Sequence, residues 1–282
     1  MRLSEDFSGA RSDEHLVELW LAGRPGTTSE TYRATTTHFF AFLADRQISL
    51  QDATVADVVA WTLTVDGAPA TRARHVSAIK SLLTFAERTG YTVFNVGKAI
   101  RCPKVPDLIH ERIVDEETIQ DVIKHATSAR DRALVLLLYY SGARISEVCG
   151  LRFRDLRGTN VTFVRAKGCK VRTVPIPMFV MDALLALRLS NDPDEAFVFR
   201  SFRDRPLSRG TAWYIVRQIT DEAAVEMSPH WFRHANASHA LDAGAPIHLV
   251  QKCLGHANVS TTSRYLHVKP DQGASRFLPV MV

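Results

Sequence analysis

Apolar positions along the chain recur mostly at helical spacing, and Gly and Pro punctuate them. Leu16, Val17, Leu19, Trp20 and Leu21 predict a first helix over Asp13 to Ala22, stopped at Gly23 and Pro25. Thr28 or Ser29 can cap a second helix through Leu43, with Tyr32, Phe39, Phe40 and Leu43 on one side and Arg33, Thr36, Thr37 and His38 on the other. A third helix fits Thr54 to Thr64 before Gly67 and Pro69. A fourth runs from Ala70 to Arg88 and ends at Gly90, a natural C′ residue. Val76, Ile79, Leu82, Leu83 and Phe85 face a core in that helix, and Arg72, Arg74 and Lys80 face out.

The pattern then lapses. Residues 92–112 carry two prolines and few periodic positions, so they read as an extended connector. Beyond it, an acid-rich start at Asp115 opens a helix to His125. Arg130 to Tyr140 is a strongly apolar helix ended by Ser141-Gly142, and another begins near Arg144. Val161, Thr162, Phe163 and Val164 alternate and are β-branched or aromatic, so Asn160 to Arg165 reads as a strand. Lys167-Gly168-Cys169-Lys170 makes the turn, and Val171 to Ile176 returns. Further helices are expected over Phe179 to Leu189 and Ser208 to Ala224, from His230, from Ile247, and around Thr261 to Leu266. The chain therefore reads as mostly α with a small antiparallel β-sheet. A four-helix domain spans 13–91, a linker 92–112 and a mixed α/β domain 113–282.

Composition narrows the class. With 282 residues and 46% hydrophobic content the chain can build real cores. The longest apolar run, near Ala133 to Tyr140, is too short to span a bilayer, and no apolar signal core precedes the first helix. No membrane or export is expected. Four scattered cysteines without C-x-x-C spacing suit reduced thiols in a cytoplasmic protein. The net charge of +5 is unevenly spread: residues 1–100 carry −1 and the rest +6. Seven basic residues against one acid fill Arg152 to Arg172, and five against one fill Arg200 to Arg217. Such clusters suit a polyanion such as nucleic acid, although two solvated basic faces read equally well from charge alone.

Candidate chemistry gathers between Pro229 and Tyr265, in P-H-W-F-R-H, L-G-H and T-T-S-R-Y. His230, Arg233, His256 and Tyr265 in one window suit the cutting and rejoining of a phosphodiester. The five-coordinate transition state needs fixed cations on its equatorial oxygens, and Arg233 and Arg144 can supply planar, permanently charged forks. Tyr265 suits a covalent nucleophile. Ionising a phenol with pKa near 10 costs roughly 4 kcal/mol at neutral pH, so a base or a positive field must offset it. His230 is the candidate base, and Lys167 in the hairpin turn is the candidate acid for the leaving 5′-oxygen, with Lys170 as its substitute. His230 and His234, four apart, could instead form a zinc pair. The residues between them are Trp, Phe and Arg rather than the H-E-x-x-H pattern, and Arg233 opposes a cation, so no metal is assigned. Taken singly, Tyr265 reads as a half-buried aromatic, His256 as a helix start and Arg144 as an ion-pair partner of Glu147.

Jointly these residues resemble the tyrosine recombinases, the phage integrase family, and the two-domain layout is similar to its Xer-type members. S-G-A-R-I-S-E matches the first arginine motif at Arg144. A-K-G-C-K-V-R-T-V-P matches the lysine hairpin at Lys167, with Ala166 where the family often has Gly. The H-x-x-R-H box falls on His230 and Arg233, and L-G-H and T-T-x-x-Y fall on His256 and Tyr265. The resemblance implies a recombinase working through a 3′-phosphotyrosine without a cofactor, metal or small-molecule substrate. It implies double-stranded DNA as partner and a homo- or hetero-tetramer on two sites. It also implies that the N-terminal helices form a core-binding clamp. Arg33, Arg72, Arg74, Lys80, Lys170, Arg172, Arg203 and Arg205 are the candidate DNA contacts. The family's longer final helix docks into a neighbouring subunit, and the apolar end Phe277 to Val282 is a short counterpart. A type IB topoisomerase or a DNA-binding regulator on the same scaffold are the other readings.

Overall fold

The computed structural model describes residues 6–24, 26–106, 112–164, 171–201, 205–256, 258, 262, 263 and 265. Within the chain two compact units separate, 1–107 and 108–282. Half of the last helix expected around Thr261 to Leu266, the hairpin turn with Lys167 and Lys170, Arg203, and the apolar end Phe277 to Val282 lie outside the described residues.

The first unit holds four helices: α1 (Asp13–Leu21), α2 (Gly26–Ala44), α3 (Val55–Thr64) and α4 (Pro69–Arg88). Their starts follow local chemistry. The Ser12 hydroxyl accepts from the His15 N–H, and Thr54 and Asp57 form a reciprocal capping box. Pro69 opens α4, where its missing N–H costs nothing. Trp61, Phe39, Leu43, Ile79 and Leu82 fill the centre. Three expectations change here. Helix α2 begins at Gly26, ahead of Thr28 and Ser29. Thr36 is buried, because its hydroxyl is satisfied within the helix by the Arg33 carbonyl. Lys80 is half-buried, with Nζ donating to the Ile100 carbonyl.

The stretch read as an extended connector is partly folded. A 3-10 turn covers Val96–Ala99, and Tyr91 and Ile100 are buried in the core of the first unit. The Tyr91 hydroxyl donates to Asp13 at 2.6 Å while the Leu50 N–H donates to the other carboxylate oxygen at 3.1 Å, so one aspartate ties three segments together.

In the second unit, α5 (Glu116–His125) and α6 (Ala129–Ser141) are capped by Asp115 and Ser128. Every residue from Ala133 to Leu138 is buried, so this stretch of α6 is covered on all sides. Helices α8 (Met178–Leu185) and α10 (Pro229–Asp242) pack against it. Helix α7 (Ile145–Cys149) leads to a three-stranded antiparallel sheet of β1 (Leu156–Arg157), β2 (Asn160–Val164) and β3 (Val171–Pro175), in that order. Strand β1 was not foreseen. Strands β2 and β3 pair with Phe163 opposite Arg172 and Val164 opposite Val171, and Val161, Phe163 and Val174 point into the core. Helices α9 (Arg209–Glu222) and α11 (Ile247–Leu254) complete the unit. Among the described residues no helix is long and apolar enough to cross a membrane.

Candidate active site

Arg233 lies in the second turn of α10 and is only 2% exposed. Its guanidinium donates to the Gly142 carbonyl at 2.6 Å and to the Leu254 carbonyl at 2.7 Å. These carbonyls sit at the C-terminal ends of α6 and α11, where unpaired acceptors and the negative dipole end favour a cation. The glycines beside them make the approach possible. Gly142 has φ +57°, and a Cβ there would lie 2.5 Å from Leu254 Cδ2 and 2.8 Å from Asn236 Oδ1. Gly255 has φ +66°, and its Cβ would meet Arg172 Cδ at 3.1 Å. Burial, then repulsion from Arg144 and Arg172, pushes the Arg233 guanidinium down to about 9, with Glu147 and Tyr265 opposing. Arg233 stays charged at neutral pH, fixed and desolvated, as an oxyanion partner should be.

Two further arginines share one carboxylate. Arg144 is the N-cap residue of α7; its N–H donates to Glu147 at 2.8 Å, and its Nη1 lies 3.3 Å from the same carboxylate. Arg172 Nη2 donates to Glu147 at 2.8 Å and its guanidinium lies over the Phe163 ring. The Glu147 and Arg172 side chains are 5% and 12% exposed. Three arginines against one carboxylate leave an excess of positive charge, the condition an incoming phosphate needs. Arg172, expected as a DNA contact, is part of this cluster.

Tyr265 is 2% exposed and packs against Ala237, Val250 and Leu254. Its hydroxyl oxygen is 2.6 Å from His234 Nδ1. Sequence reasoning paired Tyr265 with His230, whereas the structure places His234, one turn further along α10, against the hydroxyl. The His230 ring sits 5.1 Å from that of His234, near perpendicular, and keeps an exposed edge. Crowding by protein on its inner side, then Arg233, Arg144 and Arg112, holds the His230 imidazole below its usual range. His256 lies parallel to the Tyr265 ring at 6.5 Å and reaches Thr262 Oγ1 with Nδ1 at 2.8 Å. The i, i+4 spacing of His230 and His234 was the signal available for His234. Among the described residues no three His, Cys, Asp or Glu side chains come together as a metal site.

The structure thus gathers Arg144, His230, Arg233, His256 and Tyr265 in the second unit, and Lys167 lies outside the described residues. Of the remaining DNA-contact candidates, Arg72, Arg74 and Arg205 are exposed and Arg33 is exposed but ion-paired with Glu18.

Comparison with known proteins follows the same layout. Residues 112–272 match the Phage integrase family profile, and residues 14–90 match the Phage integrase N-terminal SAM-like domain. The chain is 36% identical over 200 residues to the tyrosine recombinase XerA of Thermococcus onnurineus (strain NA1), covering 68% of this chain and 69% of the relative. It is 33% identical over 267 residues to the tyrosine recombinase XerC of Myxococcus xanthus, covering 87% and 88%. The lambda integrase tetramer bound to a Holliday junction shares the fold, with TM-score 0.71 and 16% identity over 88% of this chain and 78% of that one.

Proposed function

We propose a reaction from one premise: this chain belongs to the phage integrase family, the tyrosine recombinases. It is a site-specific DNA recombinase, and the topoisomerase and regulator readings are not favoured beside relatives that are recombinases along most of its length.

Tyr265 attacks a DNA phosphorus, the bond to the 5′-oxygen breaks, and a 3′-phosphotyrosine forms. Arg144, Arg233 and His256 hold the non-bridging oxygens, with His230 at the edge of the same group. Lys167 protonates the leaving 5′-oxygen. A 5′-hydroxyl from a partner strand then attacks the phosphotyrosine and reverses the step. The phosphodiester energy stays in the tyrosyl ester, so resealing needs no nucleotide. The arginines supply the charge stabilisation that a metal would otherwise give. Exchange between two duplexes calls for four chains, the number in the lambda integrase tetramer on its Holliday junction. Residues 13–91 act as a DNA clamp joined through 92–112 to the catalytic domain 113–282, and the enzyme works on cytoplasmic DNA.

The observation that carries this reading is the convergence on Arg233. Its two hydrogen bonds draw together the S-G-A-R and L-G-H motifs, and Tyr265 is close enough to influence its charge. In the free chain the nearly buried Tyr265 has to meet the phosphate as DNA binds.

Incubation with a nicked suicide duplex tests it. The unaltered chain should form a covalent adduct that EDTA leaves intact, and Tyr265→Phe should bind the duplex without forming one. An adduct that persists in Tyr265→Phe, or is abolished by EDTA, would overturn the proposal.

A further inference from the structure

We infer that His234, rather than His230, is the general base that takes the Tyr265 proton. The inference rests on Tyr265 being the nucleophile. The structure places His234 on its hydroxyl: the oxygen and Nδ1 are 2.6 Å apart, and both side chains are buried. For the phenol to donate, Nδ1 must be the bare nitrogen, with the ring proton on Nε2. That is the state a base must be in before the reaction. No hydrogen bond joins His230 to Tyr265. His230 opens α10 at the rim, whereas His234 follows directly on Arg233, the residue that fixes α10 to two other helix ends. The base and the main phosphate-binding cation are therefore held by the same rigid turn, so the proton acceptor stays in register with the reacting phosphate.

The proton accounting is closed. The Tyr265 O–H bond breaks and its electron pair forms the O–P bond, while the proton goes to the Nδ1 lone pair. The P–O5′ bond breaks toward the 5′-oxygen, which takes a proton from Lys167. On resealing the tyrosyl oxygen leaves phosphorus and recovers its proton from Nδ1. The acceptor thus resets within each cycle without exchanging with solvent.

The test uses the full chain and single-turnover adduct formation on a saturating nicked duplex. His234→Phe keeps a ring and loses Nδ1. His234→Asn keeps a hydrogen-bonding atom near Nδ1 but cannot take a proton. Both should slow adduct formation by about a hundredfold or more. Replacing Tyr265 with a ring-fluorinated tyrosine, a stronger acid, should restore about tenfold to each variant and little to the unaltered chain. Wild-type rates in His234→Asn, or equal effects of fluorination with and without His234, would overturn the role. Gel-shift affinity and thermal melting identify a variant that fails to fold. In that case the histidine 15N spectrum of the unaltered chain serves. One Nδ1 resonance must shift in Tyr265→Phe, and no shift overturns the inference. An adduct in Tyr265→Phe would instead sink the nucleophile assignment itself, which separates the two failures.

Discussion

Gly142→Ala is a perturbation whose cost can be worked from two separable causes. Gly142 has φ +57°, in the left-handed region, where an L side chain costs roughly 1–2 kcal/mol. A Cβ there would also lie 2.5 Å from Leu254 Cδ2 and 2.8 Å from Asn236 Oδ1. Carbons rest at about 3.5–4.0 Å, so the methyl intrudes by roughly an ångström into a packed region, at a cost of about 1–3 kcal/mol. The expected total is about 2–5 kcal/mol. Gly158 provides the control: it has the same φ of +57°, in the turn between β1 and β2, with nothing within 4 Å of its Cβ position. Gly158→Ala should therefore cost only the backbone part, about 1–2 kcal/mol. Urea unfolding of both variants measures the difference, provided the slopes stay equal. Gly142→Ala should also slow adduct formation, because the Gly142 carbonyl anchors Arg233. Equal destabilisation by the two substitutions would refute the close-approach argument, and full activity in Gly142→Ala would refute the anchoring argument.

Three other outcomes follow from the same structure. Arg172→Ala removes a cation from the buried Glu147 carboxylate and should cost about 3 kcal/mol in urea unfolding, with Arg172→Lys recovering part of it. Leu137→Ala, in the fully buried stretch of α6, should cost about 2–5 kcal/mol by the same measurement. His230 has a folded pKa below its unfolded value, so the unfolded chain binds more protons between the two. Its contribution to stability is present above about pH 6.5 and is lost as pH falls toward the folded value. Urea midpoints from pH 7.5 down to 5 should therefore decline less steeply in His230→Gln, and identical slopes would contradict the assignment.

What could be read from the chain follows the range of the interactions involved. Helix α6 was legible because its apolar run is long and stops at a glycine, and the β2–β3 pair because its residues alternate. Strand β1 has two residues, too few to show a period. Thr36 looked outward because a threonine is polar, yet its hydroxyl bonds its own helix and can be buried. Lys80 and the stretch from Tyr91 to Ile100 depend on partners such as Ile100 and Asp13, which only tertiary packing brings near. The arginines and Tyr265 were found through motifs with fixed local spacing. The choice between His230 and His234 was not local. The two are one turn apart on α10, and the direction from which Tyr265 approaches, 31 residues later, decides which one it meets.

The most direct test of the account is to locate the protein–DNA bond. The chain is trapped on a nicked suicide duplex and digested, and the nucleotide-bearing peptide is sequenced by mass spectrometry. A 3′-linked nucleotide is expected on Tyr265 and on no other residue. A nucleotide on a different side chain, or a 5′ linkage, would contradict it.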